Sequence, residues 1–492
     1  MVSEAYDVVV VGGGTSGSVV ALRLANSGAT VCLMEAGPSD RSEPVVADVR
    51  NWLSVLGGPL DYSVRIDEPF SRLSYSQGRL LGGSSSLNNV WAFETPRWDL
   101  DRWVGEGMSP GMARSLDATR SRVRTALRAA PVDPGHPASK AFLEAAHERG
   151  LPRIALGGQE VGPGAGWVRL AASGTSRRSA ATAYLHEAPS DNLTLRTDTI
   201  VDRILVDASG RVEGVVTSNG PVKAVQVVLC AGALNTPAVV MRSGIGPYGH
   251  LSDLGIPVLL DQPNVGGHLQ DHPLIGVTWK ARRPEPTIHS HGWEVAAFTS
   301  GMATEEELDS CVLFSTTASP FGLSPDAKER VGVGYTMATY LARPRSRGRV
   351  RLNSADPVDL PRVSAPFLSD ADGADRRALA RAIDYLRSIA ASPALAPWLA
   401  EEVEPGPAMT DDRLQDYLTA GIGTMFHPTS TCRMGTDPRD SVVDERFTVW
   451  GFDGLRICDA SVLPSVPTVP PYLTCLMFGE HCSDVMINDA RK

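Results

Sequence analysis

The chain carries a glycine pattern of the kind that binds a dinucleotide. Gly12, Gly14 and Gly17 follow an apolar segment, and Glu35 ends the next apolar segment. Such glycines allow a tight turn, let the backbone approach a pyrophosphate and let the following helix pack closely. The helix N-terminus would then face the phosphates, and Glu35 would accept hydrogen bonds from the ribose. The carboxylate disfavours NADP, but the pattern alone does not separate FAD from NAD.

A histidine near the carboxyl-terminal end is the candidate proton acceptor. His427 opens a segment of small hydroxyl-bearing residues at 427–435, which is followed by two further Pro-rich segments at 458–464 and 470–474. Imidazole titrates near neutral pH, so it is the natural general base. A lone loop histidine is also compatible with a purely structural role.

Two further segments are rich in small residues. Residues 78–89 combine glycines with hydroxyl and amide side chains, which suits a loop wrapped around phosphate or flavin. Residues 229–237 read as a buried strand that ends in small residues, where a cofactor could approach closely. Taken singly, each segment is equally compatible with an ordinary linker or turn.

The elements that must position these residues begin with a βαβ unit. Residues 6–11 and 30–34 are apolar and rich in β-branched side chains, as in strands buried on both faces, and the segment between them has helical spacing. We also expect a hairpin over 201–216, a short strand over 225–229, and helices within 110–150 and 374–398. The nucleotide motif lies at the start of the chain and the candidate base near its end, which predicts interleaved domains.

The composition excludes several classes of protein. A net charge of -10 argues against a nucleic-acid or anionic-membrane surface. No apolar run reaches the length of a membrane span, and no signal peptide precedes the first strand, so we expect a cytoplasmic protein. The seven cysteines are scattered, as expected of reduced thiols, and no ligand spacing indicates a metal.

Taken together, these segments resemble the glucose–methanol–choline (GMC) family of FAD oxidoreductases, nearest to its choline oxidase-like branch. The resemblance rests on the order and wording of residues 78–89, 229–237, 243–247, 266–273 and 427–435, and it extends over nearly the whole chain. It implies an α/β fold in which a Rossmann-like FAD-binding domain is interleaved with an α+β substrate domain built on a large antiparallel sheet. The FAD domain would comprise residues 1–155, 190–275 and 425–492, and the substrate domain residues 156–189 and 276–424.

The resemblance also implies a set of site residues. Gly12, Gly14, Gly17 and Glu35 would hold the ADP half, and Val201 would meet the adenine. His427 would accept the hydroxyl proton while hydride leaves the same carbon for flavin N5, with Phe426 beside it on the substrate side. The remaining cofactor contacts would be Thr15, Ser16, Ala36, Arg79, Gly82, Gly83, Ser84, Asn88, Asn89, Ala231, Asp459, Ala460, Pro471, Tyr472 and Leu473.

Three positions depart from the family pattern. Some choline oxidase-like enzymes link FAD to a histidine, and Leu87 occupies that position here, so FAD should be non-covalent. Many members place His or Asn opposite the catalytic histidine, and here the position is Pro470, which has no side-chain donor or acceptor. Arg343 falls where the choline branch has an active-site histidine; a place in the pocket and a place on the surface are both open.

The pair formed by Trp293 and Glu294 could hold a cationic substrate through charge and a cation–π contact, or could be a sheet acid beside a packed Trp. If Arg343 lines the pocket, a polar primary alcohol or a hydroxymethyl group on an aromatic ring would suit it better than a quaternary ammonium.

The predicted function is therefore FAD-dependent oxidation of an alcohol, probably a primary one, to an aldehyde, with oxygen or another electron acceptor. One alternative is a non-redox FAD lyase of the same family, of the hydroxynitrile lyase type. Others are a flavin-binding protein without catalysis and, more weakly, an NAD dehydrogenase. The sequence does not indicate the oligomeric state.

Overall fold

The glycine turn follows a strand that is buried on both faces, as its apolar residues predict. Strand β1 (Ala5–Val11) is buried from Val8 onward, and helix α1 (Thr15–Asn26) begins directly after the turn. Strand β2 (Val31–Met34) then pairs in parallel with β1. The predicted βαβ unit is therefore confirmed.

The computed structural model of the protein describes residues 5–132, 135–158, 161–187, 189–283, 291–302, 308–319, 323, 325–407 and 409–491. The other helices are α2 (Trp52–Val55), α3 (Arg97–Gly105), α4 (Pro110–Leu127), α5 (Pro137–Glu148), α6 (Gly232–Arg242), α7 (Tyr248–Asp253), α8 (Pro325–Val331), α9 (Ala374–Ala390), α10 (Asp411–Ala420) and α11 (Tyr472–Ala490). The other strands are β3 (Val64–Arg65), β4 (Ser74–Tyr75), β5 (Ala130–Pro131), β6 (Gly164–Trp167), β7 (Arg169–Leu170), β8 (Ala172–Ser173), β9 (Ser176–Arg177), β10 (Leu193–Arg196), β11 (Val201–Val206), β12 (Val212–Thr217), β13 (Gly220–Leu229), β14 (Ile245–Gly246), β15 (Leu260–Asp261), β16 (Pro273–Ala281), β17 (Trp293–Thr299), β18 (Ser310–Ser315), β19 (Gly334–Leu341), β20 (Arg349–Arg351), β21 (Arg362–Ser364), β22 (Leu399–Glu404), β23 (Gly423–Thr424) and β24 (Leu455–Ile457).

The first sheet has the order β10-β2-β1-β13-β12-β11, with β24 also paired to β13. Its strands β10, β2, β1, β13 and β24 are parallel, while β12 and β11 form the predicted hairpin. In an open parallel sheet, ligands bind beyond the carboxyl ends of the strands. The glycine turn after β1 and the end of β13 meet at that edge.

The second sheet is antiparallel throughout. Its order is β22-β16-β19-β18-β17-β6, with β23 beside β16. Helices α5 and α9 share a buried apolar cluster with it, which covers one of its faces. The predicted fold of a Rossmann-like unit with a second antiparallel sheet is confirmed. The domain boundaries remain a prediction, and β16 crosses the one at residue 275.

Two element bounds differ from the prediction. Helix α9 ends at Ala390 instead of 398, because Pro393 and Pro397 follow and the residue before a proline avoids the helical conformation. Strand β13 begins at Gly220 instead of 225; its first half alternates between exposed and buried residues, so an apolar run does not reveal it.

All seven cysteines are buried and free. In the described part of the chain, no helix is both long and apolar enough to cross a bilayer. Over the same residues, no group of three or more His, Cys, Asp or Glu side chains could hold a metal ion.

Candidate active site

The turn after β1 is built for close approach of the backbone. Gly12 has a left-handed conformation (φ +100°), and a Cβ there would lie 2.5 Å from the carbonyl oxygen of Cys230. A Cβ on Gly17 would collide with the carbonyl oxygen of Gly12. Both glycines are therefore required by the packing of the turn itself.

Gly14 is different, because its missing side chain leaves space that no protein atom fills. A Cβ there would lie 3.8 Å from the nearest atom, the Cα of Gly83. Gly14 lines a cavity of about 580 Å³, together with Thr15 and Ser16 at the N-terminus of α1. The free N–H groups and partial positive charge of a helix N-terminus favour an anion at this point.

The Glu35 carboxylate is held at the end of β2. It accepts hydrogen bonds from the N–H groups of Gly13 and Gly37, each at 2.9 Å. Burial raises the pKa of Glu35 to about 7, although these two bonds partly oppose the rise. Hydroxyl donors of a bound ribose would add further bonds to the ionised form and lower that pKa.

The cavity extends from the Glu35 end to His427 and contains most of the predicted site residues. Those lining it are Gly12, Gly14, Thr15, Ser16, Glu35, Ala36, Arg79, Gly83, Ser84, Asn88, Asn89, Val201, Ala231, Phe426, His427, Asp459, Ala460, Pro470, Pro471 and Tyr472. Two lining side chains carry buried oxygens that accept no hydrogen bond from the described residues, Oε1 of Gln77 and Oδ1 of Asn89. An elongated polar ligand with an anionic centre, such as FAD, fits these features.

Five predicted residues do not line the cavity. Gly17 and Gly82 support its walls instead, since Gly82 is left-handed (φ +87°) and its N–H donates to the carbonyl of Gly13 at 2.7 Å. Leu473 is buried in α11. Arg343 lies just after β19 and is partly exposed. The fifth residue is Glu294.

Glu294 is buried in β17, and its carboxylate is committed to the protein. It accepts hydrogen bonds from the backbone N–H of His136 at 2.7 Å and from the hydroxyl of Ser139 at 3.0 Å. These donors lie at the start of α5, where a carboxylate is favoured by the helix dipole. Glu294 therefore joins α5 to the second sheet.

His427 lies in a chain of hydrogen bonds that the sequence did not suggest. Its Nδ1 lies 2.9 Å from Nδ1 of His272, and Nε2 of His272 lies 2.9 Å from the carbonyl oxygen of Pro467. A carbonyl only accepts, so Nε2 of His272 must donate and, in the neutral ring, its Nδ1 must accept. Nδ1 of His427 therefore carries a proton, and Nε2 of His427 has the free lone pair.

Burial keeps both rings neutral. It lowers the pKa of His272 to about 3, and burial together with the neighbouring His272 lowers the pKa of His427 well below 6.5. The His272 ring also stacks on Tyr340, with 4.7 Å between centroids, so it has little freedom to turn. The tautomer of His427 is thus fixed from one end of the chain of hydrogen bonds.

The backbone of His427 is fixed by a neighbouring carboxylate. Its N–H donates to Oδ1 of Asp271 at 2.9 Å, and the hydroxyl of Thr424 donates to the other oxygen. Burial raises the pKa of Asp271 to about 6. Phe426, just before His427, is left-handed (φ +58°), so the loop is held in a conformation that needs such support.

Asp271 and His272 are the functional residues that the sequence reasoning missed. Both belong to segment 266–273, which carried the family resemblance but no assigned chemistry. Two adjacent ionisable residues within an apolar segment were the available signal. Their partner lies more than 150 positions away, so local pattern could not connect them.

Asp459 and Leu87 complete the cavity wall. The carboxylate of Asp459 accepts from the N–H groups of Gly232 (2.9 Å) and Ser461 (2.8 Å), which ties its loop to the start of α6. Leu87 lines the cavity and packs in a small apolar cluster with Val46, Val55, Leu60 and Leu80. It has no atom that could form a bond to a flavin.

Comparison with known proteins gives consistent relatives. Two family models described as GMC oxidoreductase match residues 6–274 and 344–479. Choline oxidase from Arthrobacter globiformis is 36% identical, over 99% of this chain and 95% of its own. The 5-(hydroxymethyl)furfural oxidase of Methylovorus sp. (strain MP688) is 32% identical over the full length of both. The crystal structure of pyridoxine 4-oxidase from Mesorbium loti is 28% identical, has a TM-score of 0.86 and covers 97% of this chain and 98% of its own.

Proposed function

Because the chain belongs to the GMC oxidoreductase family, we propose that His427 is the base with which it oxidises a primary alcohol to an aldehyde. FAD-dependent oxidation of a CH–OH group is the activity of this chain, and none of the reported relatives favours lyase chemistry. The observation that carries the assignment of the base is the pair of 2.9 Å contacts that runs from Pro467 through His272 to His427.

The residues around the cavity would hold FAD without a covalent bond. Gly14 and the start of α1 would face the pyrophosphate, Glu35 the ribose, and Asn89 offers an unused acceptor near the catalytic end. When bound, FAD supplies the acceptor for the hydride that leaves the alcohol carbon. Leu87 supports non-covalent attachment because it cannot bond to the flavin.

The proton follows a separate route. The alcohol hydroxyl would donate to Nε2 of His427, the ring nitrogen that is not engaged by His272. As the proton moves to Nε2, the Nδ1–H bond to His272 remains and stabilises the imidazolium. Pro470 lines the same cavity but offers no donor, so we assign the binding of the alcohol oxygen to His427.

A neutral alcohol, such as a hydroxymethyl group on an aromatic ring, is the substrate class that the lining supports. The lining includes the rings of Trp52, Trp91 and Phe426. Its described carboxylates, Glu35, Asp61, Asp359 and Asp459, each accept hydrogen bonds from their own chain. Glu294, the predicted partner of a cationic substrate, is outside the lining and bound to α5.

Anaerobic mixing with a panel of alcohols tests this proposal. The panel should contain 5-(hydroxymethyl)furfural, pyridoxine, benzyl alcohol, choline and 3,3-dimethylbutan-1-ol, the uncharged isostere of choline. Loss of the oxidised flavin absorbance identifies redox catalysis, whereas a lyase leaves it unchanged. We expect reduction by the ring-bearing alcohols, and faster reduction by the isostere than by choline. Faster reduction by choline would reject the neutral substrate class and leave alcohol oxidation standing.

A further inference from the structure

The hairpin formed by β20 and β21 carries its exposed tip, residues 352–361, to the edge of the cofactor cavity. Pro357, Val358, Asp359, Leu360 and Pro361 all line the cavity. This hairpin belongs to neither main sheet. It was not singled out by any sequence motif.

The stem of the hairpin is anchored to the rest of the protein. The N–H of Val350 donates to the carbonyl of Gly266 at 2.6 Å, and the N–H of Asp67 donates to the carbonyl of Val363 at 2.8 Å. The guanidinium of Arg351 donates to the carbonyl of Val265 at 3.1 Å. The tip therefore has a fixed position over the cavity.

The tip is ordered by its own polar residues. The N–H of Asp356 donates to the hydroxyl of Ser354 at 3.0 Å, and the N–H of Val358 donates to the carboxylate of Asp356 at 2.9 Å. The Ser354 hydroxyl donates to Asp359 at 2.6 Å. These bonds turn the polar side chains onto the backbone of the tip, while Val358 is left 68% exposed and Leu360 38% exposed.

The tip lies at the Glu35 end of the cavity. Arg242, at the end of α6, lines the cavity and pairs with the carboxylate of Asp202 at 3.2 Å, next to Val201. The carboxylates of Asp202 and Asp356 both oppose the lowering of the pKa of Arg242 that burial causes, so Asp356 of the tip is close to this group. Val201 was predicted to meet the adenine.

We propose that the tip of the β20–β21 hairpin is an adenine clamp, in which Val358 and Leu360 pack against the adenine of bound FAD. The clamp rests on the proposed FAD-dependent function. An adenine ring is flat and largely apolar on its faces, so it would cover two side chains that are otherwise left in water. A clamp from outside the first sheet would retain the cofactor without a covalent bond.

The FAD dissociation constant tests the clamp. It is measured from the fluorescence of FAD released when the holoenzyme is diluted. We expect the double variant Val358→Ser with Leu360→Ser to bind FAD about tenfold more weakly, since partial burial of two apolar side chains is lost. The matched control is Val225→Ser, which removes a 66% exposed valine of β13 that does not line the cavity. The control should leave the constant unchanged.

Amide hydrogen exchange provides a second measurement that needs no variant. Residues 354–361 should exchange more slowly in the holoenzyme than in protein stripped of FAD, while the exposed turn at 207–211 should not change. Equal FAD affinity of the double variant and wild type, or equal exchange of 354–361 in both states, would overturn the clamp alone. A wild-type protein that binds no FAD would overturn the proposed function as well.

Discussion

Replacing His272 with leucine should slow reduction of the flavin by alcohol without emptying the site of FAD. Leucine can fill the space beside Tyr340 but cannot accept the Nδ1–H of His427. A buried donor left without a partner costs about 1–3 kcal/mol. At 1.36 kcal/mol per tenfold change, the productive tautomer of His427 falls by roughly 5- to 150-fold. The rate of reduction should fall by the same factor.

His272→Asn is the matched control, because its amide oxygen can take the place of Nδ1 and accept from His427. The assay is anaerobic stopped-flow at saturating alcohol, on protein whose FAD content and melting temperature match those of the wild type. We expect the asparagine variant to stay within a few-fold of wild type. A leucine variant as fast as wild type, or an asparagine variant as slow as leucine, would refute the assigned tautomer.

Three further predictions concern the cofactor, the base and the glycine turn. Acid precipitation should leave the flavin in the supernatant, because Leu87 cannot bond to it; a yellow pellet would show covalent attachment. The rate of flavin reduction should stay flat as the pH falls from about 8 to about 6, because the pKa of His427 lies well below 6.5 and the base remains unprotonated; a loss centred on the ordinary histidine pKa would contradict this. Gly14→Ala should melt like the wild type but bind FAD more weakly, since its Cβ meets only the cavity, whereas Gly17→Ala should lower the melting temperature because its Cβ meets the Gly12 carbonyl. Equal effects of the two glycine variants on folding would be inconsistent with this packing.

The amino-terminal unit was predictable because its signals are local. The strand, the glycine turn, the helix and Glu35 lie within the first 35 residues, and each supports the others. The hairpin formed by β11 and β12 was predictable for the same reason. Helix α9 was placed correctly but extended too far, since helical spacing of apolar residues continues past Pro393.

The contacts of the catalytic end were not predictable from local pattern. The partner of His427 is a ring on the segment before β16, joined to it only when the second sheet forms. Glu294 shows the opposite outcome: its neighbours in sequence suggested a substrate site, but its hydrogen-bond partners on α5 determine what it contacts. The adenine clamp likewise depends on where a hairpin is carried by the fold.

The most direct test of the central claim is the rate of flavin reduction in His427→Ala under anaerobic conditions, with the best alcohol of the panel. The variant should bind FAD as the wild type does and be reduced roughly 10²–10⁴-fold more slowly, the usual effect of removing a positioned acid–base group. Reduction at the wild-type rate, with FAD content unchanged, would contradict the assignment of His427 as the base.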